Sequence, residues 1–146
     1  LGAHAVKITD GLAGYCSGAA IGPNTVVTAA HCIRDVMYIE GRHPLLVRYP
    51  VLGADIAVIQ VEGRLQARPA IMNSASQARY LYLVGYGCGG MNGVEIRKLV
   101  RTWGRFVTGH VCGGDSGSGV YDGRGALVGI VVTRYLDNSG GAIEWL

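Results

Sequence analysis

The 146 residues carry a formal net charge of +3, with 49% hydrophobic and 16% charged side chains and 24 glycines. That length suffices for one domain with a proper core, and its basic residues are scattered rather than gathered in a stripe, which argues against nucleic-acid binding. No apolar run reaches the roughly 18 residues that a membrane-spanning helix needs, and glycine with valine, isoleucine, tyrosine and threonine predicts an all-β chain of short strands and tight turns. There is no charged leader followed by an apolar segment and a small-residue cleavage site, so the chain is expected to be mature or released from a larger precursor.

Taken in chain order, the first strands are expected at 15–21 and 25–28. The second ends in Thr28-Ala29-Ala30-His31-Cys32, where a short helical turn over 29–33 would carry the histidine. Imidazole is the side chain whose pKa suits proton abstraction near neutrality, and a hydroxyl is a poor nucleophile until such a base takes its proton. Strands at 36–40 and 45–49 precede Asp55-Ile56-Ala57-Val58-Ile59, an acid leading into a strand at 56–61. An aspartate there can accept the second imidazole N–H, hold the tautomer and stabilise the imidazolium. The first half is expected to end near 63–69, with 64–77 as a crossing segment.

The second half is read as strands at 80–85, 94–101, 119–121 and 127–134. Within 94–101, Arg97-Lys98-Leu99-Val100-Arg101 reads as a half-exposed strand with one solvated face. Between these strands lies Gly113-Gly114-Asp115-Ser116-Gly117-Ser118-Gly119. Glycines on both sides of Ser116 allow backbone conformations barred to residues with a Cβ and let N–H groups converge on one point, as a developing oxyanion requires. Each piece has a bland reading: a packed histidine, a turn-forming aspartate, a Gly/Ser loop. Their joint occurrence in the order His31, Asp55, Ser116 outweighs those readings, because it is one of the known chain orders of a Ser-His-Asp constellation.

With these motifs the sequence resembles the chymotrypsin/trypsin-like serine proteases. Further segments carry the likeness: Tyr15-Cys16-Ser17-Gly18 with Cys32 after the histidine, Leu83-Val84-Gly85-Tyr86-Gly87, and Ala126-Leu127-Val128-Gly129-Ile130-Val131. The resemblance implies two six-stranded antiparallel β-barrels with pared-down loops, the first at about 1–65 and the second at about 78–146 of a single peptidase domain over 1–146. It implies a serine endopeptidase in which Ser116 attacks the scissile carbonyl, His31 moves the proton and Asp55 orients His31. The N–H groups of Gly114 and Ser116 would form the oxyanion hole.

The same resemblance pairs Cys16 with Cys32. Cys112 matches a cysteine just upstream of the active serine whose usual partner is missing here, and Cys88 sits in a segment that runs beside the oxyanion loop in that fold. A Cys88–Cys112 bridge is therefore expected, with two free thiols as the alternative. Asp115 resembles the acid that locks the loop by pairing with a buried cation. Leu1-Gly2-Ala3-His4 is only a faint echo of the inserting N-terminus of the animal enzymes, so an internal Arg or a hydrogen-bonded group is expected in its place, with the partner left open.

For substrate binding, His110 would floor the primary pocket and Val132, Thr133 and Arg134 would wall it. A tryptic preference is not expected, since the floor position lacks Asp. Arg134 either occludes the pocket or offers a cation, so a small, polar or acidic residue before the scissile bond is expected; the alternative is that Arg134 faces solvent and His110 merely packs. The implied partner is a polypeptide substrate, without cofactor, metal, nucleic acid or membrane, acting as a monomer. Zinc held by His110, Cys112, His31 and Cys32 is the competing use of those residues, weakened by the lack of a compact ligand pair. Two bridges point to an oxidising compartment, secreted or periplasmic. The rival functions are a catalytically silent scaffold on the same fold, an esterase, and a viral or phage protease that processes its own precursor.

Overall fold

The computed structural model describes residues 1–73, 77–88 and 93–146. Twelve strands are formed among them: β1 (Ala5–Thr9), β2 (Gly14–Ala20), β3 (Thr25–Thr28), β4 (Tyr38–Ile39), β5 (Pro44–Arg48), β6 (Ala57–Val61), β7 (Tyr80–Gly85), β8 (Glu95–Trp103), β9 (Phe106–Thr108), β10 (Gly119–Tyr121), β11 (Leu127–Arg134) and β12 (Gly140–Trp145). Two short 3-10 turns, Gly2–His4 and Ala30–Cys32, complete the regular structure. No described helix is long and apolar enough to cross a membrane.

The first six strands make one antiparallel sheet in the order β4-β1-β2-β3-β6-β5, which does not close: β4 and β5 are its two edges. The last six close into a barrel in the order β10-β11-β12-β9-β8-β7. The architecture is thus a double barrel whose first member is left open, and β1 meets β7 while β2 meets β10 where the two halves touch. Period-two alternation explains the sheets: on β6, Ala57, Ile59 and Val61 are buried while Val58 and Gln60 are only half-buried.

Two apolar cores follow from that patterning. One fills the closed barrel with Leu81, Leu83, Leu99, Val120, Val128 and Ile143. The other joins the interior of the first sheet, including Val6, Ile8, Val26 and Ile59, to Val84, Tyr121, Leu127 and Ile130 of the second half. The halves therefore share apolar burial, which disfavours opening at their seam. The crossing segment lies along that seam: Arg68 N–H donates to Ala3 O, Ala70 N–H to Ala20 O, and Asn73 N–H to Leu127 O. Part of the expected crossing segment, residues 74–76, lies outside the described residues.

Three strands were absent from the sequence reading. β1 is a five-residue strand that pairs with β2 and β4; β9 is only three residues long; and β12 opens on Gly140-Gly141, a pair that reads as turn. Each is held as strand by its neighbours: β12 lies between β11 and β9 with its ladder bonds satisfied on both sides. Tertiary pairing here overrides weak local preference.

Tyr121 is fully buried at the seam, and its hydroxyl has no partner among the described residues. Burial pushes its phenol pKa up. With the folded value above the unfolded one, the unfolded chain ionises first, so stability is whole below about pH 10 and is lost as pH climbs above it. Tyr121→Phe is expected to hold or raise stability at neutral pH by about 1 kcal/mol, since it removes an unpaired buried polar atom, and to retain alkaline stability that the wild type loses. Urea denaturation at a series of pH values measures both.

Candidate active site

The second 3-10 turn, which follows β3 after a single residue, presents His31, which is fixed from three directions. Its backbone N–H donates to Asp55 Oδ1 (2.9 Å), its ring Nδ1 bonds Asp55 Oδ2 (2.6 Å), and the following residue, Cys32, is bridged to Cys16 of β2. Asp55 stands two residues before β6, and β6 pairs with β3, so the sheet itself brings acid and base together. The two side chains are 48% and 32% exposed. An imidazole that donates from Nδ1 to a carboxylate keeps its Nε2 lone pair, the arrangement a proton acceptor needs.

Ser116 lies in a pair of consecutive turns that share Asp115. Asp115 N–H donates to Cys112 O (3.1 Å) and Ser118 N–H to Asp115 O (2.8 Å), with positive φ at Gly114 (90°) and Gly117 (85°), conformations that glycine adopts without strain. Gly117 is also needed sterically, because a Cβ there would collide with Ser17 O and Thr28 Oγ1. That contact seats the turn against the first sheet: Ser17 N–H donates to Ser116 O (2.9 Å), and Cys32 Sγ lies 3.7 Å from the same carbonyl. The N–H groups of Gly114 and Ser116 donate to no acceptor among the described residues. His31 and Asp55 are thus directly bonded, whereas Ser116 is brought to the same seam through its backbone, with no hydrogen bond between its hydroxyl and the imidazole.

Asp115 points away from that seam into the second barrel and is fully buried. Arg97 of β8 meets it in a bidentate pair, Nη1 to Oδ2 and Nη2 to Oδ1, each 2.6 Å. Gly87 N–H donates to Oδ1 (3.0 Å) and Cys112 N–H to Oδ2 (2.8 Å), so each carboxylate oxygen accepts two bonds. A Cβ on Gly87 would strike the carboxylate, which explains glycine there. Arg97 Nη1 also donates to His110 O (3.0 Å) and lies 3.2 Å from Cys88 Sγ. Cys88 is bridged to Cys112, so the disulfide and the ion pair clasp one end of the loop together. The half-exposed strand read at 94–101 is found, with Lys98 exposed and Leu99 buried. Glu95, Ile96 and Lys98 are exposed, but the Arg97 side chain is only 12% exposed, because a buried carboxylate draws its guanidinium inward.

The remaining expected site residues surround this loop. His110 is exposed, Val132 is buried, and Thr133 and Arg134 are exposed. Arg134 Nη1 donates to Asn138 Oδ1 (3.0 Å), and its Nε lies 3.8 Å from where a Cβ on Gly113 would stand, so the guanidinium flanks the glycine-rich loop. An open pocket of about 590 Å³ is lined by Arg134, Tyr135, Leu136, Asp137 and Ser139. Ligand atoms of Cys88, His110 and Cys112 lie within 4.8 Å of one another, but both sulfurs belong to the disulfide and offer no thiolate to a metal.

No family model and no curated protein matches the chain. Solved structures do. An inactive mutant form of Rv3671c from M. tuberculosis H37Rv superposes with a TM-score of 0.75 at 20% identity, over 99% of this chain and 82% of that one. Neuropsin, a serine protease expressed in the limbic system of mouse brain, gives 0.72 at 17%, over 97% and 88%. Kallikrein-related peptidase 10 in complex with Zn2+ gives 0.75 at 14%, over 98% and 89%. The fold is that of the chymotrypsin-like serine proteases.

In this chymotrypsin-like fold, Arg97 and Ser17 are the residues of the site that sequence reasoning did not single out. The expectation of an internal Arg beside Asp115 was the only signal for Arg97, and thirteen lysines and arginines left the choice open. Removing the cation leaves a buried carboxylate without a counter-charge. Arg97→Met is therefore expected to cost about 3–5 kcal/mol in urea denaturation, far more than the same change at exposed Lys98.

Proposed function

We propose that the chain is a serine endopeptidase working through Ser116, His31 and Asp55, with the N–H groups of Gly114 and Ser116 as its oxyanion hole. The observation that carries this reading is the bonded His31–Asp55 pair set beside a glycine turn with two unpaired N–H donors. In the proposed cycle Nε2 of His31 takes the Ser116 proton as Oγ attacks the scissile carbonyl. Asp55 stabilises the imidazolium, and the proton then passes to the leaving amine. The acyl-enzyme is hydrolysed by the same steps with water as nucleophile. Each oxyanion donor is worth about 10²–10³ in kcat, which is why the lock on Asp115 matters to rate as well as to folding. Two disulfides suit a secreted or periplasmic setting.

A fluorophosphonate probe followed by peptide mass spectrometry tests the assignment. The expected result is a covalent adduct on Ser116, with labelling lost in Ser116→Ala and strongly reduced in His31→Ala. A folded, disulfide-intact chain that takes no label overturns it in favour of a silent scaffold, and turnover of esters without peptides would assign an esterase.

For specificity we propose that Arg134 favours an acidic residue before the scissile bond. Its guanidinium bonds only neutral acceptors, Tyr135 O and Asn138 Oδ1, among the described residues, while the neighbouring Asp137 is engaged by Ser139 and held below the usual carboxylate range by those bonds. A cation without a carboxylate partner beside the loop suits a substrate carboxylate. A peptide-library cleavage profile is expected to favour Asp and Glu, and Arg134→Glu to shift the preference toward Lys and Arg. A wild-type preference for Lys or Arg excludes the proposal.

A further inference from the structure

A buried hydroxyl outside the proposed triad reaches the loop that carries Ser116. Ser17 lies on β2, directly after Cys16, and is fully buried. Its Oγ donates to Gly114 O (2.9 Å) and accepts from Tyr86 N–H (3.0 Å). Its backbone N–H donates to Ser116 O (2.9 Å), and its carbonyl accepts from Thr28 Oγ1 (2.8 Å). One residue of the first sheet thereby holds the carbonyls of the two residues whose N–H groups stand unpaired.

Peptide planarity makes this consequential. The Ser116 N–H belongs to the Asp115–Ser116 peptide, which lies between two planes, 114–115 and 116–117, that both bond Ser17. The Gly114 N–H belongs to the 113–114 peptide, adjoining the first of those planes. Glycine takes negative φ about as readily as positive, so local preference alone does not hold Gly114 at φ 90° against an alternative turn in which its φ becomes negative and that N–H swings to the opposite side. Anchoring the Gly114 carbonyl holds the plane against which such a rotation would occur. Asp115 and Arg97 secure the loop from the second barrel; the hydroxyl of Ser17 secures it from the first and, through Tyr86 N–H, ties both to the turn after β7.

We propose that Ser17 is a positioning residue whose hydroxyl aims the N–H groups of Gly114 and Ser116 at the developing oxyanion, an inference that rests on the serine-peptidase reading above. Deleting an oxyanion donor outright lowers kcat by about 10²–10³, so releasing its anchor in Ser17→Ala is expected to lower kcat roughly 10-fold or more per labelled active site, with little change in KM. Affinity for a peptide aldehyde, whose hemiacetal oxygen occupies the same hole, is expected to fall in parallel, while the pH midpoint of kcat/KM stays at its wild-type position because the His31–Asp55 pair is untouched. The isosteric pair Ser17→Thr and Ser17→Val repeats the comparison at constant shape: the Thr variant is expected to keep the higher kcat and the tighter aldehyde binding. This also decides the case if alanine destabilises the fold.

Counting active sites with the fluorophosphonate probe separates lost protein from lost rate. If the wild type labels and turns over, but Ser17→Ala keeps wild-type kcat per labelled site, or Thr and Val behave alike, the inference fails alone. A wild type that neither labels nor turns over removes the peptidase reading and this inference with it.

Discussion

The buried carboxylate of Asp115 is the constraint on which the site is built. A charge with no solvent exposure is tolerable only with a counter-charge and a full set of donors, and Arg97 supplies both a cation and two hydrogen bonds while Gly87 and Cys112 supply the rest. Those four bonds come from different stretches of the second half: the turn after β7, strand β8, and the loop itself. Satisfying one carboxylate therefore fixes the mutual placement of all three, and the backbone on either side of Asp115 forms turns in which the N–H groups of Gly114 and Ser116 have no acceptor among the described residues.

The chemistry proposed for this chain sits where two separately built halves meet. His31 and Asp55 come from the first sheet, aligned by the β3–β6 pairing, and the serine turn comes from the second barrel. Neither half holds the full set, so the geometry depends on how firmly they are joined. The joint is made in two ways. Apolar side chains of both halves share one core, which supplies adhesion without direction. Hydrogen bonds from Ser17 to Gly114 and Ser116, and from Tyr86 N–H to Ser17 Oγ, supply direction. The two disulfides lie at opposite ends of the arrangement, one beside His31 and one beside Asp115.

Much of the architecture was legible in the residues. The strands at 25–28, 80–85, 119–121 and 127–134 were read with the bounds the structure has, because valine, leucine, isoleucine and tyrosine concentrate there between glycine-rich breaks. The strands at 5–9, 106–108 and 140–145 were not, being short or glycine-led, so that pairing partners distant in sequence decide them. The closure of one barrel and the open edge of the other were also beyond reach, since closure depends on whether the first and last strands of a sheet meet, and no local pattern encodes that.

At the site, the sequence determined which residue types were available and in what order: a histidine after a β-branched strand, an aspartate at the head of another, and a serine flanked by glycines that can take positive φ. Those choices are local, so they can be read locally. The partners of Asp115 and Ser17 are a different matter. Arg97 looks like any half-exposed strand arginine, and Ser17 like any small residue on a buried strand. Each gains its role only when an oxygen of the loop carrying Ser116, 97 residues from Ser17 and 18 from Arg97, comes within hydrogen-bond distance. Tertiary structure decided these pairings because removing a polar group from water demands a partner in space, and adjacency along the chain does not say which one arrives.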